Sequence, residues 1–251
     1  MLRMLRERFT IQGHRTFSWP KGKLLLPDRF RGYPSFNTAE LLPEQADSLV
    51  NACPFAAIVR NQKGFALDLG RCLFCADCPA AAFVKFGNDY RLAASTRDDL
   101  LLESGDKQKL AQALPADLKR LFGRSLKFRQ VSAGGCNACE ADSNVLTTIG
   151  WDMGRFGIQF VASPRHADGL WVTGPVSKNM REALLKTWEA VPAPKIVVAC
   201  GACAISGGPF AGSPEVACTV DSLLPVDLYV PGCPPHPATI LDGLLRLQGR
   251  I

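Results

Sequence analysis

The run Leu126-Lys127-Phe128-Arg129-Gln130-Val131, followed by Ser132-Ala133-Gly134-Gly135-Cys136-Asn137-Ala138-Cys139-Glu140, decides how the second half of the chain is read. A β-prone segment ends in a glycine pair, two cysteines follow, and a helix-like stretch runs from Ser143 to Met153. Glycine lets the backbone turn where a side chain would obstruct it, so the pattern is strand, tight turn, helix. The alternation continues downstream. β-prone runs recur at Ile158–Val161, Gly169–Val172, Lys195–Ala199 and Val226–Val230, with helix-like stretches at Ser177–Ala190 and Pro237–Leu247. Within Ser177–Ala190 the residues Met180, Leu184, Leu185 and Trp188 fall at helical spacing. Strand–helix alternation with Gly- and Pro-rich turns predicts an α/β domain over residues 125–251, three layers around a mostly parallel sheet.

Upstream the organisation differs. Residues 96–124 read as a charged linker, with a short helix expected at Asp106–Leu114 and a further turn at Pro115–Leu121, since proline suits a first helical position. Residues 41–95 hold four cysteines among short apolar runs and are expected to form a small α+β segment. Residues 1–40 form a basic arm. Met1 to Ser35 carries eight Lys/Arg against two Asp/Glu, which accounts for the whole net charge of +6 on this 251-residue chain. Such an arm suits anionic lipid, nucleic acid or an acidic partner. Its apolar anchors (Leu24–Leu26, Phe30 and Tyr33) and the lack of any accompanying nucleic-acid module favour docking to a partner protein, with no nucleic acid expected.

At 47% hydrophobic and 21% charged residues the composition is that of a globular protein. No apolar run approaches the roughly 18–20 residues of a membrane span. The N-terminus is basic but has neither an apolar core nor a small-residue cleavage site, so a cytoplasmic location is expected. In a reducing compartment, ten cysteines at regular spacing point to metal ligation rather than disulfides. Histidine contributes little, with only His14, His166 and His236.

The first cysteine group is Cys53, followed by Pro54, with Cys72, Cys75 and Cys78 in a C-x2-C-x2-C run. Bacterial two-cluster ferredoxins carry C-x2-C-x2-C-x3-C-P twice, and the fourth cysteine of each run ligates the other run's cluster. Set on that template, the fourth ligand of the second run falls at Ala82, and three ligands of the first run fall at Leu49, Ala46 and Pro43. All four positions of one cluster are lost together, and all four of the other survive. The segment therefore resembles a two-cluster ferredoxin reduced to a single [4Fe–4S] centre on Cys53, Cys72, Cys75 and Cys78. Prolines after Cys53 and Cys78 suit a chain turning around such a group. A four-thiolate zinc site is the alternative, though the tight triple is unlike paired zinc knuckles.

The second group lies where an open parallel sheet exposes the carboxyl ends of its strands. Besides Cys136 and Cys139 there are Cys200-Gly201-Ala202-Cys203-Ala204-Ile205-Ser206-Gly207-Gly208 and Pro231-Gly232-Cys233-Pro234-Pro235. With Ser163-Pro164-Arg165-His166-Ala167-Asp168, these segments resemble the small subunits of [NiFe]-hydrogenases and the 20 kDa subunit of complex I. The C-x2-C spacing of Cys136 and Cys139 is that of hydrogenases, since the complex I relatives have adjacent cysteines there, and the detail of CNACE, SPRHAD and PGCPP is most similar to the membrane-associated, formate hydrogenlyase-type branch (group 4). The resemblance covers about 120 residues, from Gly134 onward. It implies a flavodoxin-like domain and a second [4Fe–4S] cluster on Cys136, Cys139, Cys203 and Cys233, with Cys200 a spare and Cys218 ordinary packing. It also implies a [NiFe]-hydrogenase-like large subunit, a ferredoxin-like or other electron-donor subunit and integral membrane subunits as partners. The location implied is peripheral, on the cytoplasmic face of the inner membrane. Such subunits usually lack a ferredoxin segment of their own, so the fusion at the N-terminus is a departure.

The implied role is electron relay to a partner's nickel–iron site, without an active site in this chain; a quinone-reducing, complex I-like module is the alternative. Glu140 suits either a proton relay or a helix N-terminus. Arg165 and His166 suit hydrogen bonding near the cluster or fixing of their own loop, Asp168 the shaping of that turn, and His236 the start of the last helix.

Overall fold

Gly169–Thr173 and Ile196–Cys200 are buried at every residue, as strands covered on both faces must be. The computed structural model describes every residue except 1, 14, 37–41, 63, 76, 77, 79, 106 and 108. In chain order it forms α1 (Leu2–Glu7), β1 (Pro34–Phe36), α2 (Pro43–Ala52), β2 (Ile58–Asn61), β3 (Gly64–Asp68), β4 (Val84–Phe86) and β5 (Leu101–Leu102). Then follow α3 (Ala116–Phe122), β6 (Leu126–Ser132), α4 (Ala138–Val145), β7 (Ile158–Phe160), β8 (Gly169–Thr173) and β9 (Val176–Ser177). The chain continues through α5 (Lys178–Ala190), β10 (Ile196–Cys200), α6 (Ala202–Ser206), β11 (Val216–Cys218), β12 (Leu228–Val230) and α7 (Pro237–Leu247).

The main sheet runs β12-β10-β8-β6-β7, and every pairing in it is parallel. Counted along the chain, this is the 2-1-3-4-5 order of flavodoxin-like folds, as the α/β reading requires. The strand order reverses between β6 and β8, so their carboxyl ends open onto the crevice that such sheets use for ligands.

Each face of the sheet has its own core. On one, Phe128, Trp171, Val198 and Val230 pack with Leu241, Leu244 and Leu245 of α7. On the other, Val131, Val172, Val197 and Ala199 pack with Leu184 of α5 and with Ala204 and Ile205 of α6. That second core continues into Phe65, Leu67, Leu69, Leu100 and Leu102. The antiparallel sheet β2-β3-β5 therefore shares its interior with the α5/α6 layer. Ala94 exchanges both backbone hydrogen bonds with Tyr229, capping the β12 edge that would otherwise be open to pairing.

The arm divides in two. No residue of α1 is buried, whereas from Phe17 the chain lies on the body. The Phe17 N–H donates to the Gly150 carbonyl at 2.8 Å, and the Arg155 guanidinium donates to the carbonyls of Phe17 and Trp19. Among the described residues no helix is long and apolar enough to cross a membrane.

Two local expectations are corrected. The helix expected at Ser143–Met153 is instead Ala138–Val145, so Cys139 and Glu140 sit in its first turn. The Ser143 hydroxyl bonds back to the Cys139 carbonyl, and left-handed Asp152 ends any continuation. The helix expected at Asp106–Leu114 is not formed at Lys107 or over 109–114 (Asp106 and Gln108 lie outside the described residues). Tertiary partners take its N–H groups instead: Ala111 donates to Ala93 and Leu114 to Leu247. The turn expected at Pro115–Leu121 is present as α3, with Pro115 at its cap. The short antiparallel pair β9–β11 has no counterpart among the strands expected from the sequence.

Trp171 is fully buried on β8, donates its indole N–H to the Ser143 hydroxyl at 3.0 Å and meets Phe128 and Phe160 edge-on. Trp171→Ala is expected to cost about 3–5 kcal/mol of stability in urea unfolding; a loss below about 1 kcal/mol would contradict this packing.

Candidate metal centres

The second cysteine group assembles from three strand ends. After β6, the Gly134–Gly135 pair packs against Gly174, which follows β8. A Cβ on Gly174 would lie 2.4 Å from the Gly135 nitrogen, and Gly174 has φ +75, so glycine is required twice over. This contact carries exposed Cys136 to the crevice and, through left-handed Asn137, starts α4 with Cys139 buried in its first turn. Buried Cys203 lies on α6, after β10, and half-buried Cys233 follows β12.

These four sulfurs are electrostatic neighbours. Burial first, then Cys233, Cys139 and Cys136, push the Cys203 thiol up to about 12. Cys233 is raised by burial and then by Cys139 and Cys136. Cys200 stands apart. It is fully buried at the end of β10, and its thiol is raised by burial and by its hydrogen bond with Cys139. It lies beneath Cys139 as a packing neighbour. Cys218 is half-buried on β11, outside this group.

The first group forms in the same way. Cys53 caps α2, while Cys72, Cys75 and Cys78 follow the turn after β3. Burial pushes the Cys72 thiol up to about 12; the Phe74 N–H, 3.4 Å from its sulfur, opposes this, and Cys78, Cys75 and Cys53 add to it. Cys78 is raised by burial, then by Cys75 and Cys53, with the Ala80 N–H and the Arg31 cation opposing. Ala46, one of the lost template positions, is fully buried, and Leu49 packs against the core. Pro79 lies outside the described residues.

Whether the pockets fit a cofactor depends on the donor set and on the space. Each group offers four thiols with no imidazole, soft ligands suited to iron–sulfur clusters or zinc. Among the described residues no three His, Cys, Asp or Glu side chains gather closely enough to hold a metal ion. The walls are cut back to glycine: a Cβ on Gly201 would lie 2.5 Å from the Cys139 sulfur, and one on Gly208 2.9 Å from that of Cys203. The donor chemistry of the residues present is the kind a thiolate-bound iron–sulfur group takes, while the described side chains are not themselves drawn within coordinating reach of one another.

The residues weighed around this site have plain roles. Glu140 is buried, with Oε1 accepting from the hydroxyls of Ser132 and Thr173, while Oε2 has no hydrogen-bond partner among the described residues. Asp168 shapes its turn by accepting from the Lys127 N–H at 2.7 Å. Arg165 and His166 lie in a short helical turn, Pro164–His166. His236 caps α7, its Nδ1 accepting from the Ala238 N–H at 3.1 Å, and burial lowers its pKa.

Two features had no sequence signal. Ser206, on the same helix as Cys203, donates its hydroxyl to the Gly70 carbonyl at 2.9 Å, two residues before Cys72. Arg31 donates to the Phe74 carbonyl at 3.1 Å, inside the C-x2-C-x2-C loop.

Fold and sequence together define an α/β protein of flavodoxin-like order with four cysteines on the segments that follow the carboxyl ends of β6, β10 and β12. The family described as NADH ubiquinone oxidoreductase, 20 Kd subunit, matches residues 136–247. Similarity to a probable membrane-bound hydrogenase subunit (mbhJ) of Pyrococcus furiosus is 40% identity over 145 residues, 58% of this chain and 86% of that one. Formate hydrogenlyase subunit 7 of Escherichia coli is 42% identical over 137 residues, 55% of this chain and 54% of that one. An NADH-quinone oxidoreductase subunit of Heliobacterium modesticaldum is 42% identical over 120 residues, 47% of this chain and 69% of that one. The chain belongs to this 20 kDa oxidoreductase subunit family. The family match begins at Cys136, so the first cysteine group lies outside it.

Two left-handed glycines separate steric from conformational effects. A Cβ added at Gly212 (φ +82) would meet open space, whereas one added at Gly201 (φ +90) would have the Cys139 sulfur at 2.5 Å. Gly212→Ala is expected to cost about 1–2 kcal/mol, and Gly201→Ala at least about 1 kcal/mol more, in denaturant unfolding. Equal costs would show that Cys139 is not held against Gly201.

Proposed function

We propose that this chain is the iron–sulfur electron-transfer subunit of a membrane-associated hydrogenase complex of the formate hydrogenlyase type. Cys53, Cys72, Cys75 and Cys78 hold one [4Fe–4S] cluster, and Cys136, Cys139, Cys203 and Cys233 hold a second. When bound, such clusters supply one-electron storage at potentials set by charge, hydrogen bonds and exposure. The chain relays electrons between a donor subunit and the nickel–iron site of a large partner subunit, and has no substrate pocket of its own in this reading. It sits peripherally, against integral membrane subunits, on the cytoplasmic face.

The observation that carries the reading is the contact between the two cysteine loops. Ser206, three residues after Cys203, is hydrogen-bonded to Gly70, two residues before Cys72. A Cβ on Gly70 would lie 2.8 Å from the Ile205 side chain, so the Gly70 backbone packs directly on a side chain of α6. Two carriers serving unrelated partners would have no need of such a contact. Burial of Cys72, Cys139 and Cys203 keeps water from three of the eight sulfurs, and exposed Cys136 faces outward, where a partner can cover it.

Relatives from hydrogenase and quinone oxidoreductase complexes match at similar identity, so a quinone-reducing module is the second reading. The C-x2-C spacing of Cys136 and Cys139 favours the hydrogenase branch. Nickel in the complex that co-purifies anaerobically with this chain supports the first reading, and a complex retaining its large partner without nickel supports the second.

The chain itself is expected to be brown and to carry about eight irons. Cys75→Ala and Cys203→Ser should each remove about half of that iron, while Cys200→Ser and Cys218→Ser should leave it unchanged. Colourless protein containing zinc would overturn the proposal.

A further inference from the structure

We infer that Arg31, from the basic arm, is the positioning residue that sets the reduction potential of the N-terminal cluster; this rests on the iron–sulfur reading of Cys53, Cys72, Cys75 and Cys78. Its guanidinium donates to the Phe74 carbonyl at 3.1 Å. That carbonyl belongs to the peptide joining Phe74 to Cys75. The N–H of the same Phe74 points to the Cys72 sulfur, 3.4 Å away. One residue thus links two thiols of the group, and Arg31 holds it from outside.

Phe74 needs holding. It has φ +53, a left-handed conformation that costs a non-glycine residue about 1–2 kcal/mol and persists only where the surroundings enforce it. The contacts that do so include the Arg31 hydrogen bond, the N–H contact to the Cys72 sulfur, packing against the core and the ring of Phe86, with centroids 5.6 Å apart. Arg31 is itself fixed on both sides. Phe30 packs edge-on against His236 at 5.1 Å, three residues beyond Cys233. Gly32 donates to the Gly87 carbonyl and Tyr33 to that of Asp89. A Cβ on Gly32 would lie 2.2 Å from the Asp89 carbonyl oxygen, so the arm is pressed onto the loop after β4. This short segment therefore touches the neighbourhood of both cysteine groups and delivers a permanent cation to one of them.

The physical consequence is a shift in potential. Reduction adds a negative charge to a cluster already bound by four thiolates, and a nearby cation stabilises the more negative state. Arginine cannot lose its proton in this setting, so its effect is independent of pH. With Arg31 in place, the N-terminal cluster holds its electron more tightly than the same four thiolates would alone.

The test is an EPR-monitored redox titration of the full chain, with both sites loaded anaerobically, for wild type, Arg31→Gln and Arg31→Lys. Arg31→Gln is expected to move the midpoint of the N-terminal signal to more negative potential and leave the C-terminal signal in place as an internal reference. Arg31→Lys keeps a charge and is expected to restore most of the difference. An unchanged N-terminal midpoint in Arg31→Gln overturns the inference, as does an equal shift of both signals. Should Arg31→Gln fail to retain the cluster, Arg31→Lys decides. A midpoint near wild type supports a charge effect, and a midpoint well below it refutes one. A wild-type chain that binds no iron at residues 53–78 would instead remove the reading on which the inference rests.

Discussion

Asp68 occupies the end of β3 with its carboxylate buried, and both its oxygens are used. Oδ1 accepts from the Gly70 N–H at 2.8 Å and from Arg97 at 2.9 Å, while Oδ2 takes the other arm of the Arg97 fork and lies 3.6 Å from Arg71. A buried carboxylate is tolerated only when it is paired and hydrogen-bonded. Here the pairing has a geometric effect: it bends the chain sharply after β3, so that Gly70 meets α6 and Cys72 begins its loop at a fixed place. The Cys72 N–H, bonded to the Asp68 carbonyl at 2.9 Å, belongs to the same turn. Loss of this arrangement would unseat the first cysteine loop from the second, and the proposed relay depends on their contact.

The α/β half imposes a complementary constraint. Parallel strands buried on both faces bring their carboxyl ends to one edge, and the reversal of order between β6 and β8 opens a crevice there. The three cysteine-bearing segments enter that crevice only because glycines remove the obstructing Cβ atoms: Gly135 and Gly174 against each other, Gly201 against Cys139, and Gly208 against Cys203. Cys200 and Cys203 show how finely this sorts similar residues. Cys200 ends β10 fully buried beside Cys139, and Cys203 lies in the first turn of α6, where burial and the charges of Cys233, Cys139 and Cys136 raise its thiol.

Much of this was legible in the sequence because the informative residues act locally. Short β-branched apolar runs such as Ile196–Ala199, bounded by proline and glycine, suit a buried parallel strand, and Gly-Cys and Pro-Gly-Cys turns mark strand ends. The Pro237–Leu247 helix was legible from its starting proline and its leucines. The misplaced first helix was not, since its onset depends on left-handed Asn137 and its seating on a hydrogen bond from Trp171, β8 to α4. The irregular run before Pro115 failed for a similar reason, because tertiary carbonyls take the N–H groups that a helix would have used. Arg31 looked like one surface charge among eight in the arm. Only the folded chain brings it to a carbonyl 43 residues away.

The central claim is that the two cysteine groups hold clusters close enough to act as one relay. EPR spectroscopy of the fully reduced, iron-loaded chain tests it most directly. The account predicts a spectrum broadened and split by magnetic interaction between two reduced [4Fe–4S] centres, simplifying to one uncoupled signal when Cys75→Ala removes one of them. Two sharp signals that simply add, each unaffected by the loss of the other, would contradict it.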